Sequence, residues 1–141
     1  MMILLLLTLL RPSPDPSKDW RVVRDAKARC QLFVPQEWSG PTSIAVAPGR
    51  KGGAVVHALA REQRFDQAVQ QAKGLMRPLA TLEERPDRIW YSYDGGQPGT
   101  TFWYVAVSGE TICTAEVQFS DPGLEATARL IVLSVGPVPN R

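Results

Sequence analysis

The chain has 141 residues, of which 44% are apolar and 21% are charged, the composition of an ordinary globular protein rather than of a disordered or fibrous one. Its formal net charge of +2 is too small to indicate a nucleic-acid partner or an acidic membrane surface. We therefore expect no nucleic-acid binding and at most a peripheral contact with membranes.

Residues 1–10, MMILLLLTLL, form an apolar run of the length found in the core of a secretory signal. As a helix this run spans about 14 Å, well short of the ~30 Å hydrocarbon core of a bilayer. No basic residue precedes it and no small-residue cleavage site follows it, which leaves a start codon placed too far downstream or an unusual leader as explanations. Prolines recur in residues 11–19, so that stretch is predicted to be a linker. We expect an exported protein, periplasmic or extracellular, with one domain over residues 20–137.

The first half of this domain alternates strand and turn signals. Short runs rich in β-branched and aromatic residues predict strands over WRVVRD, ARCQLFV, TSIAVA and AVVHALARE. PQEWSGP is predicted to be a turn and PGRKGG a flexible hairpin loop. In the second run Cys30, Leu32 and Val34 share one face because side chains alternate along a strand.

In FDQAVQQAKGLMR the spacing of the apolar residues changes from the two-residue period of a strand to the period of a helix. Pro78 is predicted to end this helix. One side of this helix is apolar, which is typical of a helix packed on a sheet. The apolar positions are Phe65, Ala68, Val69, Ala72, Leu75 and Met76.

The second half predicts an edge strand in LATLEE, an aromatic hairpin formed by RIWYSYD and TFWYVAV, and a further strand in TICTAEVQF. A last helix begins in SDPGLEATARLIVLSV, with Asp121 as N-cap and Pro122 at the first helical position. Its apolar stripe consists of Leu124, Ala128, Ile131 and Val135. The predicted fold class is α+β, a mostly antiparallel sheet of about seven strands with two helices packed on it.

The chain has two cysteines, Cys30 and Cys113, each in a predicted strand and each sharing its face with apolar neighbours. Two buried thiols would satisfy this pattern, since free cysteine is among the most buried side chains. Export favours a bridge instead, because an oxidising compartment converts a close pair into a disulfide. We therefore predict a structural Cys30–Cys113 disulfide.

The aromatic hairpin supplies the candidate binding surface, Trp90, Trp103 and Tyr104. Core packing is the leading interpretation, because adjacent aromatic strands bury area through cross-strand pairs. If helices cover only one face of the sheet, some of these rings would be exposed. They would then form a protein-binding patch or a platform that stacks sugar rings.

No catalytic motif is present, and we expect no catalytic residue, metal site or cofactor. His57 is the one histidine, too few for a nucleophile–base pair or a histidine-rich metal site, and it is interpreted as a satisfied structural residue. Glu83 and Glu84 lie on alternate faces of a strand, which argues against a paired-carboxylate site.

The order of elements resembles that of the PsbP-like fold superfamily. The resemblance covers about residues 20–136 and depends on that order, on the turn C-x-L-x-V-P-x-x-W that begins at Cys30, and on the DP cap of the last helix. The superfamily includes photosystem II extrinsic proteins, a Ran-binding family and many exported bacterial proteins. The resemblance implies binding or assembly rather than catalysis, and it offers no active-site or metal-binding residues that can be placed in this chain.

The sequence thus predicts an exported, non-enzymatic binding or assembly module of the cell envelope, with a protein partner and as a monomer or weak dimer. The alternative is a small-ligand or glycan-binding module that uses an aromatic strand surface. A deep pocket lined by arginine and aromatic residues would favour the ligand, whereas a flat apolar patch would favour a protein.

Overall fold

The computed structural model describes residues 19–139, so the predicted signal at 1–10 and the linker up to residue 18 lie outside the described residues. The described strands are β1 (Trp20–Arg24), β2 (Cys30–Pro35), β3 (Ile44–Val46), β4 (Gly52–Ala58), β5 (Pro78–Arg85), β6 (Arg88–Tyr93), β7 (Thr101–Val107), β8 (Cys113–Phe119) and β9 (Gly136–Pro137). The helices are α1 (Phe65–Leu75) and α2 (Glu125–Leu133), with short 3-10 helices at Pro48–Arg50 and Pro122–Leu124. Within residues 19–139, no helix combines the length and the apolar character needed to cross a bilayer.

The strands form two sheets in which every pairing is antiparallel. The larger sheet has the order β3-β4-β8-β7-β6-β5, and the smaller one has the order β1-β2-β9. The predicted α+β class is confirmed. The described strands divide between two sheets rather than one, because the first two predicted strands pair with each other and with the two-residue β9.

One face of the larger sheet carries the main core. The smaller sheet and α2 pack on this face, and the buried side chains between them include Leu32, Val56, Trp90, Trp103 and Ile131. The predicted stripe of the last helix is confirmed, since Ala128, Ile131 and Val135 are buried and Leu124 is half-buried. Asp121 caps the preceding 3-10 turn, where its carboxylate accepts a hydrogen bond from the Gly123 N–H at 2.9 Å.

The opposite face carries a second, smaller core under α1. It consists of Ala72, Ile89, Tyr91, Tyr104 and Ala106, with Phe65, Val69, Met76 and Tyr93 at its margin. Lys73 of α1 binds Glu84 of β5 at 2.7 Å, which ties the helix to the edge of the sheet. The two helices therefore lie on opposite faces, and α1 covers only the β5–β6–β7 side of its face.

Three local predictions need correction. Strand β4 begins at Gly52, which the sequence placed in a loop, and it ends at Ala58 rather than at residue 62. Helix α1 ends at Leu75, and Pro78 is the first residue of β5 rather than the residue that ends the helix. Leu75 is 85% exposed although the helical pattern placed it on the buried side, and Ala72 and Met76 on either side of it pack on the small core instead.

The disulfide prediction is confirmed: Cys30 and Cys113 are bonded, with their Cα atoms 5.5 Å apart. Cys30 lies in β2 of the smaller sheet and Cys113 in β8 of the larger one, and both are completely buried. The bridge therefore joins the two sheets through the main core.

Asp25 organises the turn that leads from β1 into β2. Its carboxylate accepts hydrogen bonds from the backbone N–H groups of Lys27, Arg29 and Cys30, at 3.1, 2.8 and 2.6 Å. Burial alone would raise the pKa of Asp25, but the backbone hydrogen bonds outweigh it and hold the pKa below the ordinary value of 3.8. The turn is thus closed by an ionised carboxylate immediately before the disulfide.

Candidate functional site

The aromatic side chains singled out by the sequence are all buried. Trp90 and Trp103 lie in the main core, 6% and 4% exposed, and Tyr104 lies under α1, 6% exposed. Core packing is therefore confirmed for all three, and they form no exposed platform. The two indole rings meet edge to face, with centroids 5.1 Å apart.

Arg129 of α2 covers this tryptophan pair. Its guanidinium carbon lies 5.4 Å from the ring centroid of Trp90 and 5.5 Å from that of Trp103. The helical pattern would place Arg129 in water, and its half-exposed side chain lies within cation–π distance of both indoles and forms an ion pair with Glu125 at 3.2 Å. The half-exposed arginine therefore lies at the boundary between the tryptophan pair and solvent.

The part of the second face that α1 leaves uncovered contains a groove of about 180 Å³, which we call the open groove. No residue of α1 lines it. Strands β3, β4, β6, β7 and β8 supply its principal side chains, which are Ile44, Val46, Val55, Tyr93, Phe102 and Glu116. Most of these are half-buried, so the groove is an accessible and mainly apolar surface.

The register of the sheet explains why these residues meet. Residues directly opposite each other in antiparallel strands point to the same face. One row across the sheet consists of Tyr91, Tyr104, Glu116, Val55 and Ile44. The next row consists of Tyr93, Phe102, Gln118, Gly53 and Val46. The groove lies over the ends of these two rows that α1 does not reach.

Two glycines shape the groove. Gly53 lies between Gln118 and Val46 in its row, and the Gln118 side chain lies over the position where a Cβ of residue 53 would stand. A Cβ on Gly95 would overlap the ring of Phe102, so glycine is needed for the β6–β7 loop to pass against that ring. Close approach of the backbone at Gly95 thus holds Phe102 in position.

Glu116 is the polar centre of the open groove. The Tyr93 hydroxyl donates a hydrogen bond to Glu116 Oε1 at 3.0 Å, and His57 Nε2 lies 3.9 Å from Glu116 Oε2. The latter distance exceeds that of a hydrogen bond. The side chains of His57 and Glu116 are 53% and 43% exposed, so both remain accessible from solvent. His57 is therefore a surface residue and not the satisfied structural residue that the sequence predicted.

The tyrosines around Glu116 have altered acidities. Burial, and next the charge of Glu116, raises the pKa of Tyr104 to about 12. Burial, the charge of Glu116 and the hydrogen bond to it also raise the pKa of Tyr93 above the ordinary value of 10. Both phenols stay neutral at physiological pH, so Tyr93 acts as a hydrogen-bond donor and not as a base.

The two neighbouring carboxylates considered as an acid–base pair both form ion pairs with basic side chains. Glu83 binds Arg88 at 2.6 Å and Arg85 at 3.2 Å, while Glu84 binds Lys73 on the other face of the sheet. The prediction that these two carboxylates lie on alternate faces is confirmed. Over residues 19–139, no group of three or more histidine, cysteine, aspartate or glutamate side chains is placed to hold a metal ion.

Sequence reasoning did not identify the open groove. The alternation in TICTAEVQF already placed Glu116 opposite the apolar face of its strand, and that in RIWYSYD placed Tyr93 opposite Trp90. A carboxylate on one strand and tyrosines on another were the available signal. The carboxylate and the tyrosines come together only because β6, β7 and β8 are neighbours in the sheet, and the sequence did not show that order.

Comparison with solved structures identifies the fold. No protein-family model matches the chain, and no curated protein matches it. The solution structure of the cyanobacterial PsbP protein (CyanoP) of Synechocystis superposes with a TM-score of 0.53 at 8% identity, over 90% of this chain and 98% of that one. The chain therefore has the PsbP-like fold, as its order of elements suggested; an identity of 8% shows the fold alone.

A second solved structure has a weaker likeness. LpqN of Mycobacterium tuberculosis, a protein involved in cell envelope biogenesis, superposes with a TM-score of 0.38 at 15% identity, over 91% of this chain and 82% of that one. A score this low supports no conclusion about the present chain.

Proposed function

We propose that this protein is an exported, non-enzymatic binding module of the cell envelope that holds a segment of a partner protein in the open groove. The observation that carries the proposal is a mainly apolar groove, lined by Tyr93 and Phe102, on the half of the sheet that α1 leaves uncovered. Uncovered apolar surface of this kind is typical of interaction sites.

The size of the groove favours a protein segment over a small molecule. Pockets for small molecules and cofactors are usually about 300–1,000 Å³ and enclose most of their ligand. The open groove has about 180 Å³, and it has no arginine among its lining residues. It therefore suits one or two side chains of a larger partner, whose remaining contacts lie outside it.

The Cys30–Cys113 bridge supports a location outside the cytoplasm. Disulfides form and persist in oxidising compartments and are rare in the cytosol, where thiols are kept reduced. The apolar run at residues 1–10 agrees with export. The compartment and the groove together favour a module that captures a partner during envelope assembly.

A binding role also agrees with the chemistry of the groove. Glu116 is engaged by a neutral tyrosine, and the one nearby imidazole, that of His57, lies beyond hydrogen-bond distance. A nucleophile–base pair requires hydrogen-bond contact between its members. The groove offers apolar area and one fixed charge, which are the elements of recognition.

Site-specific photo-crosslinking tests the proposal. A benzophenone amino acid replaces Gln118, which is exposed at the groove, or Leu133, which is 60% exposed on α2, and the cells are irradiated. We expect a crosslinked partner from position 118 and not from position 133. Adding Gly53→Leu should remove that product, because the new side chain projects into the groove between residue 118 and Val46.

The Cβ of a Gly53 variant meets no prohibitive contact. A Cβ at this position would meet Gln118 Nε2 at 3.4 Å and the Ala45 carbonyl oxygen at 3.5 Å, which are ordinary contact distances. Circular dichroism and thermal melting confirm folding before the assay. Equal products from positions 118 and 133, or a product from 118 that persists with Gly53→Leu, would exclude the open groove as the binding site.

A further inference from the structure

Glu116 differs from the other ion-paired acidic residues of the described chain. The carboxylates of four such residues each lie within 3.2 Å of an arginine or lysine side chain: Asp66, Glu83, Glu84 and Glu125. Within residues 19–139, the ion-pair partner of Glu116 is His57 alone, at 3.9 Å. The groove of a chain with net positive charge thus holds a carboxylate that lacks a strong cationic partner.

We propose that the partner segment in the open groove presents a lysine or arginine side chain whose cationic end binds Glu116 beside Tyr93 and Phe102. This inference rests on the binding role proposed above and specifies the chemistry of the occupant. The missing cation is supplied by the partner, so charge complementarity selects the segment that binds.

Electrostatics favours a cation at this position. The faces of Tyr93 and Phe102 carry the negative part of the ring quadrupole, which attracts an ammonium or guanidinium group. Glu116 Oε2 points away from the Tyr93 hydrogen bond at Oε1 and retains free acceptor capacity. A charge-assisted hydrogen bond to a half-buried carboxylate is roughly twice as strong as a neutral one.

The dimensions fit one long basic side chain. A cavity of about 150 Å³ accommodates benzene, which has six heavy atoms. The open groove, at about 180 Å³, therefore matches the five side-chain heavy atoms of lysine or the seven of arginine. The methylene stem would lie on Val55, the direct cross-strand neighbour of Glu116, as such stems commonly do on apolar surface.

A protein segment fits the groove better than a free amine does. Ile44 and Val46 extend the apolar surface to the short edge strand β3, beyond the reach of a single side chain that is anchored at Glu116. Apolar residues next to the cationic one would cover this surface. A free amine would leave this apolar surface exposed. The surface beside Glu116 therefore favours a polypeptide as the occupant of the groove.

Nuclear magnetic resonance titration of the full, disulfide-bonded protein tests the inference. The probes are the capped tripeptides acetyl-Val-Lys-Val-amide and acetyl-Val-Gln-Val-amide, and n-butylammonium chloride. We expect the lysine peptide to shift the amide signals of Gly53, Phe102 and Glu116 saturably. The glutamine peptide should bind at least about fivefold more weakly, because it lacks the cation that contacts Glu116. n-Butylammonium should bind about tenfold more weakly, because it lacks the flanking apolar residues.

Two carboxylate variants provide a matched comparison. Glu116→Gln keeps the shape of the groove and should abolish the preference for the lysine peptide. Glu125→Gln removes an exposed carboxylate on α2 and should leave the preference unchanged. Equal affinity of the lysine and glutamine peptides, or a preference that survives Glu116→Gln, would overturn the inference.

The outcomes separate this inference from the proposed function. Lysine and glutamine peptides that bind the groove equally well would refute the cation while leaving the groove as a binding site. Affinity of n-butylammonium equal to that of the lysine peptide would refute the polypeptide occupant. Absence of groove shifts with every probe, together with no crosslink from position 118, would refute both proposals.

Discussion

Reduction of the Cys30–Cys113 bridge tests whether the two sheets depend on a covalent link. The bonded residues are separated by 83 positions, so the bridge closes most of the described chain into one loop. On the chain-entropy model, a loop of this length stabilises the folded state by about 4.5 kcal/mol. Reduction retains both sulfur atoms, so no side-chain heavy atom is removed from the main core and the loss chiefly reports the link.

Equilibrium unfolding in guanidinium chloride, with and without a phosphine reductant, measures this loss. The chain has four tryptophans whose fluorescence reports the transition. We expect the reduced protein to unfold with a free energy about 4–5 kcal/mol lower. For a domain of this size that corresponds to a fall in melting temperature of about 15–20 °C.

Two results would refute this reasoning. Unfolding free energies that agree within about 1 kcal/mol would show that the link contributes little, whatever its geometry. Thiol titration of unreduced, denatured protein from its native compartment provides the second test, because free thiols at Cys30 and Cys113 would show that the bridge is not formed there.

Three single substitutions test the contacts around α2 and the β1–β2 turn by urea unfolding. Ile131→Ala should cost about 2–4 kcal/mol through cavity formation, because Ile131 is fully buried, whereas Leu133→Ala at a 60% exposed side chain should stay within about half a kcal/mol. Equal losses would contradict the orientation of α2. Arg129→Ala should cost about 0.5–1 kcal/mol by removing the cation from two indole rings, and Arg129→Lys should recover part of that; wild-type stability in the alanine variant would refute the stacking contribution. Asp25→Asn should cost about 2 kcal/mol at pH 7, since three backbone N–H groups lose a charged acceptor. Because the folded-state pKa of Asp25 lies below 3.8, this stabilisation is complete well above pH 4 and is lost as the pH falls through the folded-state pKa. Wild-type and variant stabilities should therefore converge at pH values below the folded-state pKa, and a difference that stays constant would exclude the ionised carboxylate as its cause.

The sequence alone determined the types of the elements and the faces of their side chains. Alternation along a strand is a property of the local backbone, so the opposite orientations of Trp90 and Tyr91 could be predicted without knowing any partner strand. The same rule turned Cys30 and Cys113 inward. The helical period of α1 and the Asp121 cap of the last helical segment are local in the same sense.

The tertiary structure decided which elements are neighbours. Whether β1 and β2 join the larger sheet or form their own depends on burial across the whole chain, and each candidate pairing satisfies the same local pattern. For the same reason the sequence could not show that the helices lie on opposite faces. Arg129 illustrates the consequence, because its helical position suggests solvent while rings from β6 and β7 supply a partner.

The open groove belongs entirely to this second class of features. Glu116 and Tyr93 are 23 positions apart in the chain. They meet because β6 and β8 both lie next to β7 in the sheet, so the tyrosine hydroxyl can reach the carboxylate across a single strand. The place of Gly53 in the groove becomes apparent only when its neighbours Val46 and Gln118 are known. Residue spacing along the chain carries no record of these distances, since long-range strand order is set by the free energy of burying the two cores together.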